Sequence, residues 1–336
     1  MKPTDFSKYL SDFLCRYLPH ERGLSVNTVV AYRDTFVLFI SFLESRNLKP
    51  DRLTLAKVTR QMVVEFLDWL QNDRKCGNAS RNARLAAIHS FFRYLQYLRP
   101  EHLYEYQDIL SIKVKKTHRP VINHLSVEGI TLLLQQPDTT EKKGRRDLAL
   151  LSLMYDTAAR VQEIIDLTPA TIRLESPCTI RITGKGKKTR IVPMLDKQVH
   201  LLKGYLQENR LLNPEANHHP LFFNPRKEKF TRAGITYILK KYAVQAKAKR
   251  PEHIPDNLSC HSLRHSKAMH LLQAGVNLVY IRDLLGHTSV QTTEVYAKAD
   301  SAHKRRVIEA AYQDVTPEQH PVWAKDVNML EWLKSF

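Results

Sequence analysis

The sequence predicts a mainly α-helical protein of two domains with one small antiparallel β-sheet. A chain of 336 residues is too long for one ordinary hydrophobic core, and its hydrophobic content of 43% is enough to fill two cores. Apolar residues recur every three or four positions through most of the chain, which is the period of an amphipathic helix. Only Cys178–Met194 shows instead the alternation of β-strands around a glycine-containing turn. This combination predicts the α+β class.

Residues 1–112 predict an all-helical first domain. Ser25 can cap a helix with an apolar period near 3.6, and further helices fit Thr59–Gln71 and Ser80–Leu98. The last of these helices and its end carry several arginines, namely Arg81, Arg84, Arg93 and Arg99. They predict either a basic binding face or an ordinary bundle with solvated charges, and both alternatives stay open.

A linker and a second domain follow. Residues 113–124 are basic, contain Pro120 and lack a helical period, which predicts an extended interdomain segment. The second domain is expected over residues 125–312 and begins with a helix capped by Ser126 and a long helix near Arg146–Leu167. Later helices are expected at Asp196–Asn209, Arg232–Lys247, Ser259–Ala274, Leu278–Leu285 and Val290–Ala297. Asn277 is expected as an N-cap and Gly286 as a C′ stop.

The predicted sheet is a hairpin of Cys178–Thr183 and Thr189–Met194. Its turn, Gly184–Lys188, contains two glycines and three lysines. The turn places Lys185 between two small residues at the hairpin tip. A phosphate-binding P-loop is excluded, because the G-x-x-x-x-G-K-[ST] pattern is absent from the sequence.

Residues 313–336 predict a C-terminal tail with an amphipathic helix. Its apolar positions share one helical face: Trp323, Val327, Leu330 and Leu333. So short a helix is marginal in water by itself. It is therefore expected to dock either on its own domain or in trans on a second copy, and the two alternatives stay open.

The charge of the chain indicates a polyanionic partner. Lys and Arg number 52 against 34 Asp and Glu, which gives a formal net charge of +18. Charge alone does not separate DNA from RNA.

The cysteines and the N-terminus indicate a reducing compartment. The four cysteines are scattered without a C-x-x-C pair, which disfavours a zinc site or a disulfide framework. The first dozen residues include acids, and we expect neither a signal peptide nor a membrane-spanning segment. These features predict a cytoplasmic protein.

Several residue types suited to phosphate chemistry stand in the second domain. His261, Arg264 and His265 share one helix face, His287 follows Gly286, and Tyr296 lies nine residues further on. Upstream, Arg160 and Glu163 are three residues apart. Each of these residues alone is explained equally well by packing, capping or a surface ion pair.

Their order resembles that of the tyrosine site-specific recombinases, the phage-integrase and Xer-like family. The resemblance rests on Arg160, Lys185, His261 with Arg264, His287 and Tyr296, and above all on the run LLGHTSVQTTEVY that ends at Tyr296. Segments around Leu24–Thr28 and Asn82–Arg84 also resemble the family's core-binding domain. The resemblance covers about residues 5–312. Ala159 and Gln162 depart from the family's usual neighbours of the first arginine.

The resemblance implies a core-binding, SAM-like bundle before the catalytic domain, the two closing as a C-shaped clamp on double-stranded DNA. It implies strand exchange through a covalent 3′-phosphotyrosine and a Holliday junction, by four protomers on two sites, without metal or cofactor. Integration or excision of a mobile element is the expected role. Xer-type dimer resolution, a type IB topoisomerase and a non-catalytic DNA-binding regulator stay open, as do accessory DNA-binding proteins as partners.

Phosphate chemistry then predicts a role for each residue. Arg160 and Arg264 would bind the non-bridging oxygens, and Tyr296 would be the nucleophile. His261 would take the phenolic proton, Lys185 would protonate the leaving 5′ oxygen, and His287 would hydrogen-bond the phosphate. Glu163 would support an arginine or a histidine. DNA backbone contacts are expected from Arg81, Arg84, Lys187, Lys188 and Arg190.

Overall fold

The computed structural model describes residues 3–117, 123–299 and 329–334. The chain divides into two compact units, Met1–Pro120 and Val121–Phe336. Most of the tail 313–336, the end of the predicted second domain at 312 and the centre of the predicted linker lie outside the described residues.

The first unit is a helical bundle with an aromatic core. Phe13, Phe36 and Phe91 lie in its centre with ring centroids 5.2 to 6.3 Å apart. Its helices are α1 (Asp5–Asp12, continued by a π-helical segment Phe13–Glu21), α2 (Val26–Ser45), α3 (Arg60–Asn72), α4 (Asn78–Leu98) and α5 (Leu103–Leu110). Short 3-10 turns lie at Pro50–Arg52, Leu55–Lys57 and Pro100–His102.

Helix α2 differs from the expectation that no segment could span a membrane. Helix α2 has 20 residues, and an 18-residue window within it has a mean hydropathy of 1.3, which meets the length and composition of a membrane span. Phe36, Phe39 and Phe42, however, are 1–2% exposed and pack inside the bundle. The core of the first unit therefore accounts for part of the apolar character of α2, since 28% of this window is buried.

The second unit is mostly helical. Its helices are α6 (Val127–Leu134), α7 (Lys142–Asp156), α8 (Val161–Ile165), α9 (Asp196–Glu208), α10 (Arg232–Lys249), α11 (Cys260–Gln273), α12 (Leu278–Leu285), α13 (Glu294–Ala299) and α14 (Met329–Lys334). Short 3-10 turns lie at Pro169–Thr171, Lys185–Lys187, Pro214–His218, Pro251–His253 and Val290–Thr292. The predicted caps Ser126 and Asn277 accept backbone hydrogen bonds from Gly129 and Val279. Of the predicted tail helix, Leu333 is described and is exposed.

The sheet has three antiparallel strands in the order β1 (Ile172–Arg173), β2 (Thr179–Thr183) and β3 (Thr189–Pro193). Strands β2 and β3 form the predicted hairpin, while β1 was not predicted. Opposite Ile182 on β2 stands Arg190 on β3. The sheet and the helices together confirm the α+β prediction for this unit.

The long helix predicted near Arg146–Leu167 is wrong, because the chain breaks between α7 and α8. Ala158 has φ of +48°, and Arg160 is extended at the N-cap of α8. The break frees the Ala158 carbonyl, which accepts a hydrogen bond from the Arg264 side chain at 2.8 Å. In a continuous helix that carbonyl would be used by the amide four residues later. The break in the helix therefore coincides with a hydrogen bond between two residues that are 106 positions apart in the sequence.

Candidate active site

Arg264 lies buried at the centre of the candidate site, on the first turns of α11. Its side chain is 3% exposed and donates hydrogen bonds to the carbonyls of Ala158 at 2.8 Å and Leu285 at 2.6 Å. Burial lowers the pKa of Arg264 to about 10, helped by the charges of Arg160 and Arg190. The guanidinium therefore stays charged at neutral pH. It joins the α7–α8 break to the end of α12.

Glu163 forms the acidic centre of a second cluster. The Arg160 side chain donates to Oε1 of Glu163 at 2.8 Å, and the Arg160 backbone donates to Oε2 at 2.9 Å. Arg190 donates to Oε2 at 2.7 Å. Burial alone would raise the pKa of Glu163, but the hydrogen bonds from Arg190 and Arg160 and the charge of Arg190 leave that pKa below its ordinary value. The sequence predicts that Glu163 supports an arginine or a histidine, and its partners in the structure are two arginines.

The hairpin approaches this cluster at Gly184. A Cβ atom on Gly184 would lie 2.7 Å from Oε1 of Glu163. The 3-10 turn Lys185–Lys187 follows, with positive φ at Gly186 and Lys187. The backbone of Lys185 therefore directly follows Gly184, the residue that lies against Glu163. The structure describes the backbone of Lys185 and not its side chain.

Tyr296 is buried on α13, and its hydroxyl contacts His265. The tyrosine is 2% exposed, and its hydroxyl lies 2.9 Å from Nδ1 of His265. Burial raises the pKa of Tyr296, while the charges of Arg264 and Arg160 oppose this shift. The positive charges of the two arginines therefore favour the ionised form of the phenol.

Two of the three histidines of α11, His261 and His265, differ in their surroundings. His261 is exposed, and its ring centroid lies 6.1 Å from that of His265. Partial desolvation lowers the pKa of His261, as do the charges of Arg264 and Arg160. Burial lowers the pKa of His265 to about 4, helped by His261 and Arg264. Both imidazoles are therefore neutral at pH 7.

His287 is held at the end of α12. Gly286 adopts the left-handed conformation with φ of +62°, and His287 Nδ1 lies 2.9 Å from the hydroxyl of Thr293. Burial lowers the pKa of His287 to about 4, with Arg264 and Arg160 acting in the same direction. A Cβ atom on Gly286 would lie 3.0 Å from the Arg190 guanidinium. His287 is thus adjacent to the arginine cluster.

These contacts bring Arg160, Glu163, Arg264, His287 and Tyr296 into one region, with His261 at its exposed side. Three buried or half-buried arginines face one carboxylate, so the region carries net positive charge. Within residues 3–117, 123–299 and 329–334, no three His, Cys, Asp or Glu side chains lie close enough to hold a metal ion. A cationic, half-buried site of this kind is suited to a phosphodiester.

Three residues that are predicted to contact DNA have partners within the protein. Arg190 is not on a solvated turn: its side chain is 10% exposed and is ion-paired with Glu163. Arg81 is 5% exposed and donates to Asn82 and to the Lys113 carbonyl. Arg84 donates to the Ala31 carbonyl and to Thr35. Arg81 and Arg84 therefore hold segments of the bundle together. Lys187 and Lys188 are exposed, as expected.

The sequence holds signals for His265, which received no predicted role, and for the buried position of Arg190. His265 lies four residues after His261 and therefore on the same helix face. Along β3, Arg190 alternates with Ile191 and shares the inward face with Val192. The period of the strand could thus have placed Arg190 inside.

The sequence of the chain matches families and individual proteins that are already known. The model of the phage integrase family matches residues 123–303, and that of the phage integrase N-terminal SAM-like domain matches residues 11–97. The chain is 35% identical to the integrase/recombinase y4rC of Sinorhizobium fredii over 337 residues, covering 99% of both chains. It is 31% identical to the tyrosine recombinase XerD of Listeria innocua over 316 residues, covering 93% of this chain and 98% of XerD.

A solved structure has a similar fold. The site-specific recombinase XerH, bound to a palindromic difH substrate after cleavage, superposes with a TM-score of 0.67 at 24% identity. The match covers 86% of this chain and 80% of XerH.

Proposed function

The chain belongs to the phage integrase family of tyrosine recombinases, and on this premise we propose that Tyr296 cuts DNA by forming a covalent bond to a 3′ phosphate. As a member of this family it is a DNA breaking-and-rejoining enzyme that acts in site-specific recombination. The contact geometry around Arg264 is the observation that carries the assignment of residues. This buried guanidinium binds the carbonyl of Ala158, two residues before Arg160, and its charge favours ionisation of the Tyr296 phenol.

The proposed cleavage step transfers one phosphoryl group. The phenolic oxygen of Tyr296 attacks phosphorus, the bond from phosphorus to the 5′ oxygen breaks, and the 5′ oxygen takes a proton from Lys185. His261 receives the phenolic proton, since it is exposed toward the solvent and neutral. Rejoining runs the same steps backward and needs no ATP, because the ester bond is kept in the protein–DNA link.

The arginines stabilise the charge of the transition state. A guanidinium has five N–H donors, and Arg264 uses only some of them on the two carbonyls. Its remaining donors, together with those of Arg160 and the ring of His287, are proposed to bind the non-bridging oxygens. Their orientation is set before DNA arrives, so little reorganisation is needed during the reaction.

The test uses nicked duplexes tiled across the DNA that flanks the gene. We expect an SDS-resistant protein–DNA adduct with the wild-type protein and none with Tyr296→Phe. An adduct that persists in Tyr296→Phe would show that another residue is the nucleophile. Tight binding without any adduct would favour the regulator alternative.

For the biological role, we propose integration or excision of a mobile element. The match to y4rC extends over 99% of this chain, whereas the match to XerD extends over 93%. Exchange between two duplexes needs four strand cuts, so we propose a tetramer in the cytoplasm, with one Tyr296 for each cut.

Dimer resolution is the second candidate, since XerD is similar over 93% of this chain. Plasmids carrying two copies of the mapped cleavage site distinguish the alternatives. A site that lies at the ends of a mobile segment and yields its excised circle supports the first role, while a single chromosomal site supports the second. Relaxation of plasmids without recombinants would indicate a topoisomerase.

A further inference from the structure

The hydroxyl of Tyr296 is a polar group in apolar surroundings. Tyr296 packs with a cluster of buried residues on α11, α12 and the α7–α8 break: Ala158, Ala268, Met269, Leu272, Ile281 and Leu285. A buried hydroxyl without a hydrogen bond is costly. The polar partner that the structure gives this hydroxyl is Nδ1 of His265, at 2.9 Å, with the two ring centroids 5.7 Å apart.

We propose that His265 is a positioning residue for the nucleophile, holding the Tyr296 hydroxyl in place as a neutral hydrogen-bond acceptor. The inference rests on the proposed function of Tyr296 and deepens it. It adds orientation of the phenol, by His265, to the removal of the phenolic proton, which stays with His261.

Several groups keep the His265 ring neutral. His261 and Arg264 face it from its own helix, His124 from the segment before α6, and Tyr296 from α13. Burial and the charges among these groups all disfavour an imidazolium. With its proton on Nε2, the neutral ring has a free lone pair on Nδ1 toward the phenol.

The same surroundings argue against His265 as the base. The pKa of His265 is about 4, whereas burial raises that of Tyr296 above its ordinary value. The shared proton therefore stays on the phenolic oxygen in the resting site. The contact orients the oxygen and does not ionise it.

Loss of the acceptor should therefore slow attack without weakening DNA binding. A phenol without its partner samples other directions, and fewer of these lie in line with the leaving oxygen. The nitrogen in contact is Nδ1, whose position the Oδ1 atom of an asparagine can occupy. Asparagine can accept the hydrogen bond but is too weak a base to take the proton.

The kinetic experiment measures single-turnover adduct formation on a nicked duplex, at saturating protein, across the pH range 5.5–8.5. We expect His265→Asn within about 3-fold of the wild-type rate with an unchanged pH profile, and His265→Leu slower by about 10-fold or more. His265→Gln places its amide near the Nε2 position, should be as slow as His265→Leu, and serves if the leucine variant does not fold. The exposed His200→Asn is the matched control and should equal wild type.

A wild-type rate in His265→Leu would overturn the proposal. So would a His265→Asn rate as low as that of His265→Leu, because it would indicate proton transfer to His265.

A second measurement tests the contact without catalysis. In a double-mutant cycle of His265→Leu and Tyr296→Phe, we expect the shifts in Tm to be non-additive by about 2 °C, since one hydrogen bond is lost in either variant. Additive shifts would overturn the contact. Coupling in the cycle without any wild-type adduct would show that the proposed nucleophile has failed while the contact holds.

Discussion

At the residue scale, Glu163 is the group on which the positive charges of the site depend. Its carboxylate is 5% exposed and is shared by Arg160 and Arg190. Both arginines would otherwise repel each other and Arg264, as the lowered pKa of Arg264 indicates. A buried charge that loses its partner costs far more than a surface charge that does so. We therefore regard Glu163 as the residue that allows three guanidinium groups to lie together.

Replacing Glu163 by glutamine should lower the free energy of unfolding by about 3 kcal/mol at pH 7, because it leaves the Arg190 charge unpaired. The folded-state pKa of Glu163 lies below its unfolded value. Its contribution is therefore present above the unfolded pKa, about 4.3, and is lost as pH falls through the folded pKa. Urea unfolding should show a constant difference between the two proteins from pH 5 to 8, and a smaller one below pH 4.

The matched control is Asp166→Asn, just after the last turn of α8. Asp166 pairs with Lys229 at 3.4 Å, but both side chains are about half exposed. This variant should change the free energy of unfolding by less than about 1 kcal/mol. If the Glu163→Gln variant were as stable as this control, the buried ion pairs of Glu163 would not stabilise the fold.

At the element scale, the hairpin of β2 and β3 reaches the site because its turn begins with a residue that lacks a side chain. The register places Arg190 opposite Ile182, so the strand directs this arginine inward while Ile191 is exposed. Gly184 then lies against Glu163, with the Arg160 guanidinium also near. The hairpin thus supplies Arg190 and brings the backbone of Lys185 beside the cluster.

A Gly184→Ala substitution should therefore disturb both stability and cleavage. The added Cβ would lie 2.7 Å from the Glu163 carboxylate, which must shift away from the arginines. We expect a loss of about 1–3 kcal/mol in the free energy of unfolding and slower adduct formation on nicked duplexes.

Gly204→Ala in α9 is the control for this change. A Cβ atom at Gly204 would have no neighbour within 4 Å. Because alanine favours a helix over glycine, this variant should gain about 0.5–1 kcal/mol. A Gly184→Ala protein that is as stable and as active as wild type would show that Glu163 moves freely, against the tight approach described here.

At the scale of the whole molecule, the excess of 52 basic over 34 acidic residues is the dominant property. The arginine cluster accounts for only a small part of this excess. Exposed groups such as Lys187 and Lys188 are available to a phosphate backbone. Binding should therefore release many counterions.

DNA affinity should fall steeply with salt, and removal of exposed lysines should reduce that dependence. We expect the double variant Lys187→Ala/Lys188→Ala to lower the slope of log K against log salt by about 2, because each phosphate contact contributes about 0.9. The measurement is equilibrium binding to a short duplex between 50 and 300 mM salt. The double variant Lys142→Ala/Lys143→Ala removes the same charge from the exposed start of α7. Equal slopes in the two variants would indicate a general charge effect and no contact by the hairpin turn.

The sequence by itself determined those features that depend on neighbours in the chain. Helical periods, the caps at Ser126 and Asn277, the left-handed Gly286 and the β2–β3 hairpin all involve residues a few positions apart, and the structure confirms them. The fold class and the family also follow from the sequence, because the order and spacing of the motif residues are properties of the chain alone.

Only the tertiary structure decided which side chains meet. The break at Ala158, the contact of His265 with Tyr296 and the place of Arg190 beside Glu163 join residues 27 to 106 positions apart. The acceptors of Arg81 and Arg84 could not be predicted for the same reason, since they lie on other segments of the chain. A period or a motif shows the face on which a residue lies, whereas burial and partners depend on what packs against that face.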